Sequence, residues 1–202
     1  MKNELLVATK NRKKLKEIRE ILKRVDCRIT SLADYRQLSF RIVENGRTFK
    51  ENAVKKALKA ARFTKKFTMG EDSGLCVDLL KGKPGIYSSR FAGKDKSDRK
   101  NNLKLLKLLE GAPLRKRTAH YISAVALADR HGLLGVVEGR CSGIIGFESK
   151  GTHGFGYDPV FVIPKYKKTF GQLSERIKHG MSHRYRALKK AKGMIQKYIE
   201  HS

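Results

Sequence analysis

Four short segments of the chain carry residue types that can hold anions, metal ions or planar rings, each at a point where the chain changes direction. Thr9-Lys10-Asn11-Arg12-Lys13-Lys14 follows an apolar run and opens a helical pattern. Backbone amides at a helix start, a hydroxyl, a carboxamide and several cations make a phosphate cradle. Cations in a first helical turn are disfavoured by the helix dipole, and a bound anion removes that conflict. Read alone, the segment is a basic helix start, and it is not a P-loop, since G-x-x-x-x-G-K-[ST] occurs nowhere in the chain. Glu71-Asp72-Ser73-Gly74 reads as an acidic turn at the end of a strand. Adjacent carboxylates repel unless a cation or proton lies between them, and hard oxygen ligands of this kind suit Mg²⁺; the alternative is an Asp-Ser-Gly turn with Ser73 as a cap.

The third segment is Gly154-Phe155-Gly156-Tyr157-Asp158-Pro159. Glycines on either side of an aromatic residue let the backbone approach a ligand, Phe155 can stack on a planar base, and Asp158 can accept from ring N–H groups. A Gly/Pro loop pinned by buried aromatics is the competing reading. The fourth is Met181-Ser182-His183-Arg184, with Lys178 upstream. Ser182 is a plausible N-cap; otherwise His183, Arg184 and Lys178 point at a base or at phosphate oxygens. A serine–histidine triad is disfavoured because no G-x-S-x-G elbow is present.

The elements that must position these groups are visible as hydrophobic periodicity. Glu4 to Ala8 and Ile29 to Leu32 read as strands, with Leu15, Ile18 and Leu22 on one face of a helix between them. Thr48-Phe49-Lys50-Glu51 has the T-x-x-E pattern of a capping box and opens a helix through Ala53, Ala57 and Ala60. Phe67 to Gly70 is expected as a strand, and Ser97 to Glu110 as a Leu-rich helix stopped by Gly111. Alternation from Ala119 to Leu127, the turn Asp129-Arg130-His131-Gly132 and the run Leu133 to Glu138 predict a hairpin. Val160 to Ile163 is a further strand, and a closing helix turns Leu188, Ala191, Ile195 and Ile199 inward. The class expected is mixed α/β with an antiparallel portion, the hairpins forming a second lobe, in a single domain over residues 1–202.

The 202 residues carry 46 Lys and Arg against 19 Asp and Glu, a formal charge of +27, with 40% hydrophobic residues. That composition excludes a disordered basic tail. No apolar stretch approaches the ~20 residues of a membrane span, and no signal peptide is expected from the short run Leu5 to Ala8. Cys27, Cys76 and Cys141 are odd in number and lack C-x-x-C spacing, so reduced thiols and a cytoplasmic location are expected. The excess charge lies on helical segments: from Asp158 onward eleven Lys and Arg face three acids, whereas Thr118 to Pro164 holds three basic and four acidic residues. This fits a solvated lysine-rich surface, and it also fits a polyanionic partner, either a phosphate-rich small molecule or a nucleic-acid backbone.

In order and separation these segments, together with Thr48-Phe49-Lys50-Glu51-Asn52-Ala53 and Pro84-Gly85-Ile86-Tyr87-Ser88-Ser89-Arg90, resemble the inosine/xanthosine triphosphate pyrophosphatases, the Ham1-like family. The family pattern is a T-x-N-x-x-K loop, T-F-x-E-N-A, D-D-S-G-L, A/P-G-x-Y-S-x-R, G-F-G-Y-D and a final S-H-R. The resemblance implies an elongated mixed α/β sheet with flanking helices, two lobes around a nucleotide cleft, and a homodimer. It implies Mg²⁺-dependent hydrolysis of ITP, dITP and XTP to monophosphate and pyrophosphate. By the same resemblance Asp72 is the catalytic base and a metal ligand, and Glu44 is a second metal-linked acid. Thr9, Asn11, Lys14, Asn52 and Lys56 match groups at the triphosphate, with Lys10, Arg12, Lys13 and Ser73 beside them. Phe155, Gly156, Tyr157 and Asp158 match the base-stacking loop, and Lys178, His183 and Arg184 groups around the base. Two residues depart from the pattern: Lys10 stands where glycine is usual, and Glu71 replaces the first aspartate of the pair.

Two other readings compete. The Maf-like septum-associated pyrophosphatases share a similar fold, but G-F-G-Y-D and S-H-R argue against them. A nucleic-acid binder, suggested by the charge, predicts duplex or single-strand binding with a steep salt dependence and no Mg²⁺-dependent hydrolysis. No membrane partner and no specific nucleic-acid partner are expected.

Overall fold

The first strand, β1 (Glu4–Val7), is apolar on both faces, and the computed structural model, which describes residues 3–35 and 42–201, shows why. Leu5 and Val7 join one buried cluster, and Leu6, with Ala8 just beyond the strand, joins another. A strand covered on both sides has no polar face to alternate with, which is the signature of a parallel strand in an α/β sheet. β1 pairs in parallel with β2 (Arg28–Ser31), Leu5 opposite Ile29, and with β3 (Thr68–Val77), Val7 opposite Met69.

The chain divides into two compact units. The first comprises residues 1–72, 123–139 and 183–202, and the second residues 73–122 and 140–182. Strands β3, β4 (Thr118–Ala128) and β5 (Leu133–Ile145) contribute a stretch to each. Within the first unit the strand order is β2-β1-β3-β4-β5. Its main core gathers Ile18 and Leu22 from the region of helix α1 (Arg12–Ile21), and Ala187, Leu188, Ala191 and Ile195 from helix α5 (His183–Glu200), against Leu5, Val7, Met69, Val125 and Leu127. Helix α2 (Phe49–Thr64) brings Ala60 to Leu6 and Ala8 on the other side of β1.

Within the second unit the order is β3-β4-β5-β6-β7, with β6 (Phe161–Ile163) antiparallel to both β5 and β7 (Lys168–Thr169). Its core packs Leu105 and Leu109, from helix α3 (Asp98–Leu108) and its C-cap, against Leu75, Tyr121, Ile145, Phe161 and Phe170. Arg117, 2% exposed, carries its charge into this unit with no carboxylate partner among the described residues: its three side-chain nitrogens donate to the carbonyls of Leu109, Ile145 and Gly146. Those bonds close the end of α3 onto β5, since the last carbonyls of a helix and of a strand both lack ladder partners.

The strands and long helices expected from periodicity are present within a residue or two at most ends. Thr48 caps α2 by accepting from the Glu51 amide, and Glu51 reaches back to the Arg47 amide. Two expectations fail: Glu71-Asp72-Ser73-Gly74 is not a turn, because β3 runs straight through it to Val77, and the hairpin does not form a second lobe, because its tip, residues 123–139, packs in the first unit with β1. β5 extends seven residues beyond Glu138, and the short helix α4 (Glu175–Lys178), capped by Ser174, has too few residues to show a period. The cysteines are free thiols. No helix among the described residues is long and apolar enough to cross a membrane.

Candidate functional site

Because Glu71 and Asp72 are strand neighbours, their side chains leave opposite faces of β3. That separates the two carboxylates which, in a turn, would have crowded together. The Glu71 carboxylate, 1% exposed, accepts from Lys14 Nζ at 2.9 Å, Ser123 Oγ at 2.9 Å and Arg184 Nη2 at 3.0 Å. Burial alone would raise its pKa, but the charges of Arg184, Lys14 and Lys56 hold it well below the usual carboxylate range. The other terminal nitrogen of Arg184 donates to Glu17, so this guanidinium, 1% exposed, lies between two carboxylates of the first unit. Those carboxylates raise the Arg184 pKa despite its burial.

On the opposite face, Asp72 Oδ1 accepts from Lys56 Nζ at 3.0 Å and Oδ2 from Asn52 Nδ2 at 3.1 Å. Lys56 also reaches Glu44 Oε2 at 2.8 Å and the Glu71 carbonyl at 3.1 Å. Asn52 is oriented from behind by the Gly46 amide, which donates to its Oδ1 at 2.8 Å. These α2 side chains reach β3 because position 70 is glycine. A Cβ there would stand 2.1 Å from the Ala53 carbonyl oxygen and 2.6 Å from the Ala57 nitrogen. Ala53, Ala57, Ala60 and Ala61 make the helix face thin enough for that approach.

The two members of this ion pair shift for different reasons. Lys56 is pushed down by burial but up more strongly by Asp72 and Glu44, and its pKa rises. Asp72 is pushed up by burial and by neighbouring Glu71, and the pull of Lys56 and Lys14 does not cancel this, so its pKa rises too. Four carboxylates (Glu17, Glu44, Glu71, Asp72) and three cations (Lys14, Lys56, Arg184) are joined by these bonds. The hard oxygens of Asp72 and Glu44, which share Lys56, fit a small divalent cation. Among the described residues no group of three or more His, Cys, Asp or Glu side chains could hold a metal ion. A site completed by substrate phosphates and water is therefore the form that fits.

The loop before α1 is organised by its own side chains. Thr9 Oγ1 accepts from the Asn11 amide, and Asn11 Oδ1 caps α1 by accepting from the Lys13 and Lys14 amides. No acidic residue lies in the first turn of α1, and Lys10, Arg12 and Lys13 are exposed. His183, 4% exposed, begins α5, where Gly139 lets the helix start press on β5; a Cβ there would lie 2.2 Å from the His183 carbonyl oxygen.

In the second unit the Gly154–Asp158 loop is held from several sides. Asp158 Oδ2 accepts from the Phe155 amide at 2.8 Å and from Lys178 Nζ at 2.6 Å. The Lys178 ammonium lies 4.8 Å from the centre of the Phe155 ring, a cation–π contact. Tyr157 is an anchor: it is 3% exposed, and its hydroxyl donates to the Ser88 carbonyl. Asp158, expected to meet ring N–H groups of a ligand, directs Oδ2 to its own loop and to Lys178. Ser73, the first residue of this unit, is half-buried on β3. Sequence reasoning missed Glu17 and Ser123 in the first unit. The trace of Glu17 is an acid next to Ile18 on the buried side of α1, itself 6% exposed.

The fold is that of a mixed α/β protein with a buried ion network on β3 and a gripped aromatic loop after β5. The Ham1 family profile matches residues 5–194, and the chain belongs to the Ham1 family. A dITP/XTP pyrophosphatase of Desulforamulus reducens is 46% identical over 198 residues, 98% of each chain. One of Exiguobacterium sibiricum is 43% identical, over 97% of this chain and 98% of its own. The solved structure of the Staphylococcus aureus Ham1 protein superposes with a TM-score of 0.86 at 35% identity, covering 97% of this chain and all of that one.

Proposed function

We propose that residues 1–202 act as one cytoplasmic, homodimeric pyrophosphatase that hydrolyses ITP, dITP and XTP to the monophosphate and pyrophosphate. The observation that carries the reading is Asp72: a buried carboxylate, raised in basicity, aligned by Lys56 and Asn52 and joined through Lys56 to a second acid. The named activity of the relatives supplies the substrate class. Asp72 and Glu44 would hold Mg²⁺, which offsets charge on the triphosphate and on the departing pyrophosphate when bound. Asp72 takes the proton of a water whose oxygen bonds to the α-phosphorus, as the bond from that phosphorus to the bridging oxygen breaks. Lys14, Lys56 and the cations of the Thr9–Lys14 loop face charge that grows on the leaving oxygens, so their stabilisation is greatest in the transition state. Arg184 acts one step back, fixing Glu71, which in turn fixes Lys14. Phe155 stacks on the base, with Lys178 and His183 as further base-side groups.

The test is pyrophosphate release with Mg²⁺ from ITP, XTP, dITP, GTP, ATP and dTTP at equal concentration. Rapid release from ITP, XTP and dITP and slow release from ATP and GTP is expected. No release from any, or a preference for dTTP, overturns the reading.

A further inference from the structure

Helix α3 places two polar side chains one turn apart on the same face, both directed at a single residue of the Phe155 loop. The Gly156 amide donates to Asp98 Oδ2 at 2.9 Å, and the Gly156 carbonyl accepts from Asn102 Nδ2 at 3.0 Å. Residues four apart on a helix are surface neighbours, so the pair forms a two-point grip on that glycine. Gly156 sits at φ +65° and Gly154 at φ +77°, conformations that only glycine adopts freely. The loop therefore has no intrinsic preference that would hold the Phe155 ring in one direction, and the holding must come from outside.

Phe155 is fixed on one side through its own amide, by Asp158, and on the other through the next residue, by Asp98 and Asn102. Asn102 is 6% exposed, and its Oδ1 meets no donor among the described residues. A buried amide that leaves its acceptor unmatched while its NH₂ meets the loop is placed for the loop, since a buried polar atom without a partner is unfavourable for the helix itself.

Resting on the base-stacking reading above, we infer that Asp98 and Asn102 are positioning residues for nucleobase binding, setting the orientation of Phe155 through Gly156. Neither side chain has to touch the nucleotide. The grip acts on the ring and leaves the Asp72 network untouched, so its loss appears in KM and not in kcat.

The experiment compares Asp98→Ala, Asp98→Asn, Asn102→Leu and Phe155→Ala for ITP turnover, with inhibition by inorganic triphosphate as a probe of the phosphate-binding groups alone. For Asp98→Ala and Asn102→Leu, KM should rise about tenfold, the range of one lost hydrogen bond, with kcat within about threefold. The inhibition constant of inorganic triphosphate should not change. Asp98→Asn keeps an oxygen for the Gly156 amide and should restore most of the KM. Combined with Phe155→Ala, the Asp98→Ala change should add little further, because it acts through that ring. Full additivity, or an unchanged KM in Asp98→Ala and Asn102→Leu while Phe155→Ala raises it, overturns the inference and leaves the base-stacking reading standing. An unchanged KM in Phe155→Ala itself overturns that reading and this inference with it. Equal loss of ITP turnover and triphosphate inhibition would show a general structural role and also overturn it.

Discussion

Glu71 and Asp72 are consecutive acids with opposite duties, and conservative substitutions should separate them. Asp72→Asn keeps the shape of the side chain and an oxygen for Asn52 or Lys56 but removes the proposed base. Turnover should fall at least ~10²-fold, the low end for loss of a general base, with nucleotide binding retained in calorimetric titration. Glu71→Gln should act on folding: Arg184 and Lys14 lose a charged partner in a site 1% exposed. Breaking one partner out of a buried pair lowers stability by about 3–5 kcal/mol, read as a shifted denaturation midpoint. The role of Glu71 was not visible in the sequence. Its partner Arg184 lies 113 positions away and shares a bond with Glu17, itself 167 positions from that arginine. No local pattern joins such residues, whereas the Thr48 cap was legible because its partner lies within a turn.

Elements with a clear period were readable: α1, α2, α3, α5 and the hairpin at Asp129–Gly132 all follow from apolar spacing and cap or turn residues. β3 was readable only to Gly70, because Glu-Asp-Ser-Gly has the composition of a turn. What extends the strand is tertiary: each acid finds its cations on a different face, and satisfied polar groups override local preference. A smaller knot of the same kind ties β1 to its surroundings. Glu4 accepts from Thr30 on β2, from Tyr35, and from Lys66 just beyond α2. Burial pushes the Glu4 carboxyl up, but bonds from Lys66, Thr30 and Tyr35 outweigh it and bring the pKa from 4.5 to about 2. A carboxylate depressed in the folded state stabilises it fully above the unfolded pKa, and that contribution is lost as pH falls through the folded value. Glu4→Gln should therefore lower stability at neutral pH by on the order of 1–2 kcal/mol, allowing for its partial exposure. The difference from the parent should shrink between pH 4.5 and about 2 in urea titrations.

At the scale of the whole molecule, the positive charge is spread and not gathered. The first unit holds 27 of the 46 Lys and Arg and 12 of the 19 acids, giving +15, which leaves 19 basic and 7 acidic residues, +12, in the second. A diffuse cationic surface attracts polyanions without a preferred register. A labelled random duplex should bind at low salt and be released steeply as salt rises, by fluorescence anisotropy, while saturating duplex leaves ITP hydrolysis unaltered. Duplex that stays bound at physiological salt would point to a dedicated nucleic-acid surface. The division into units has a further consequence, for the order in which the protein is made. Every residue of the second unit precedes His183 in the chain, whereas the first unit lacks α5 until residues 183–200 emerge. Leu5, Val7, Ile18 and Leu22 stay uncovered on that side until Ala187, Leu188, Ala191 and Ile195 have followed them out. Glu71 meets Arg184 only then. A nascent chain released at Ser182 would carry every residue of the second unit and no Arg184 for Glu71, so the ion network forms only once α5 has begun to emerge.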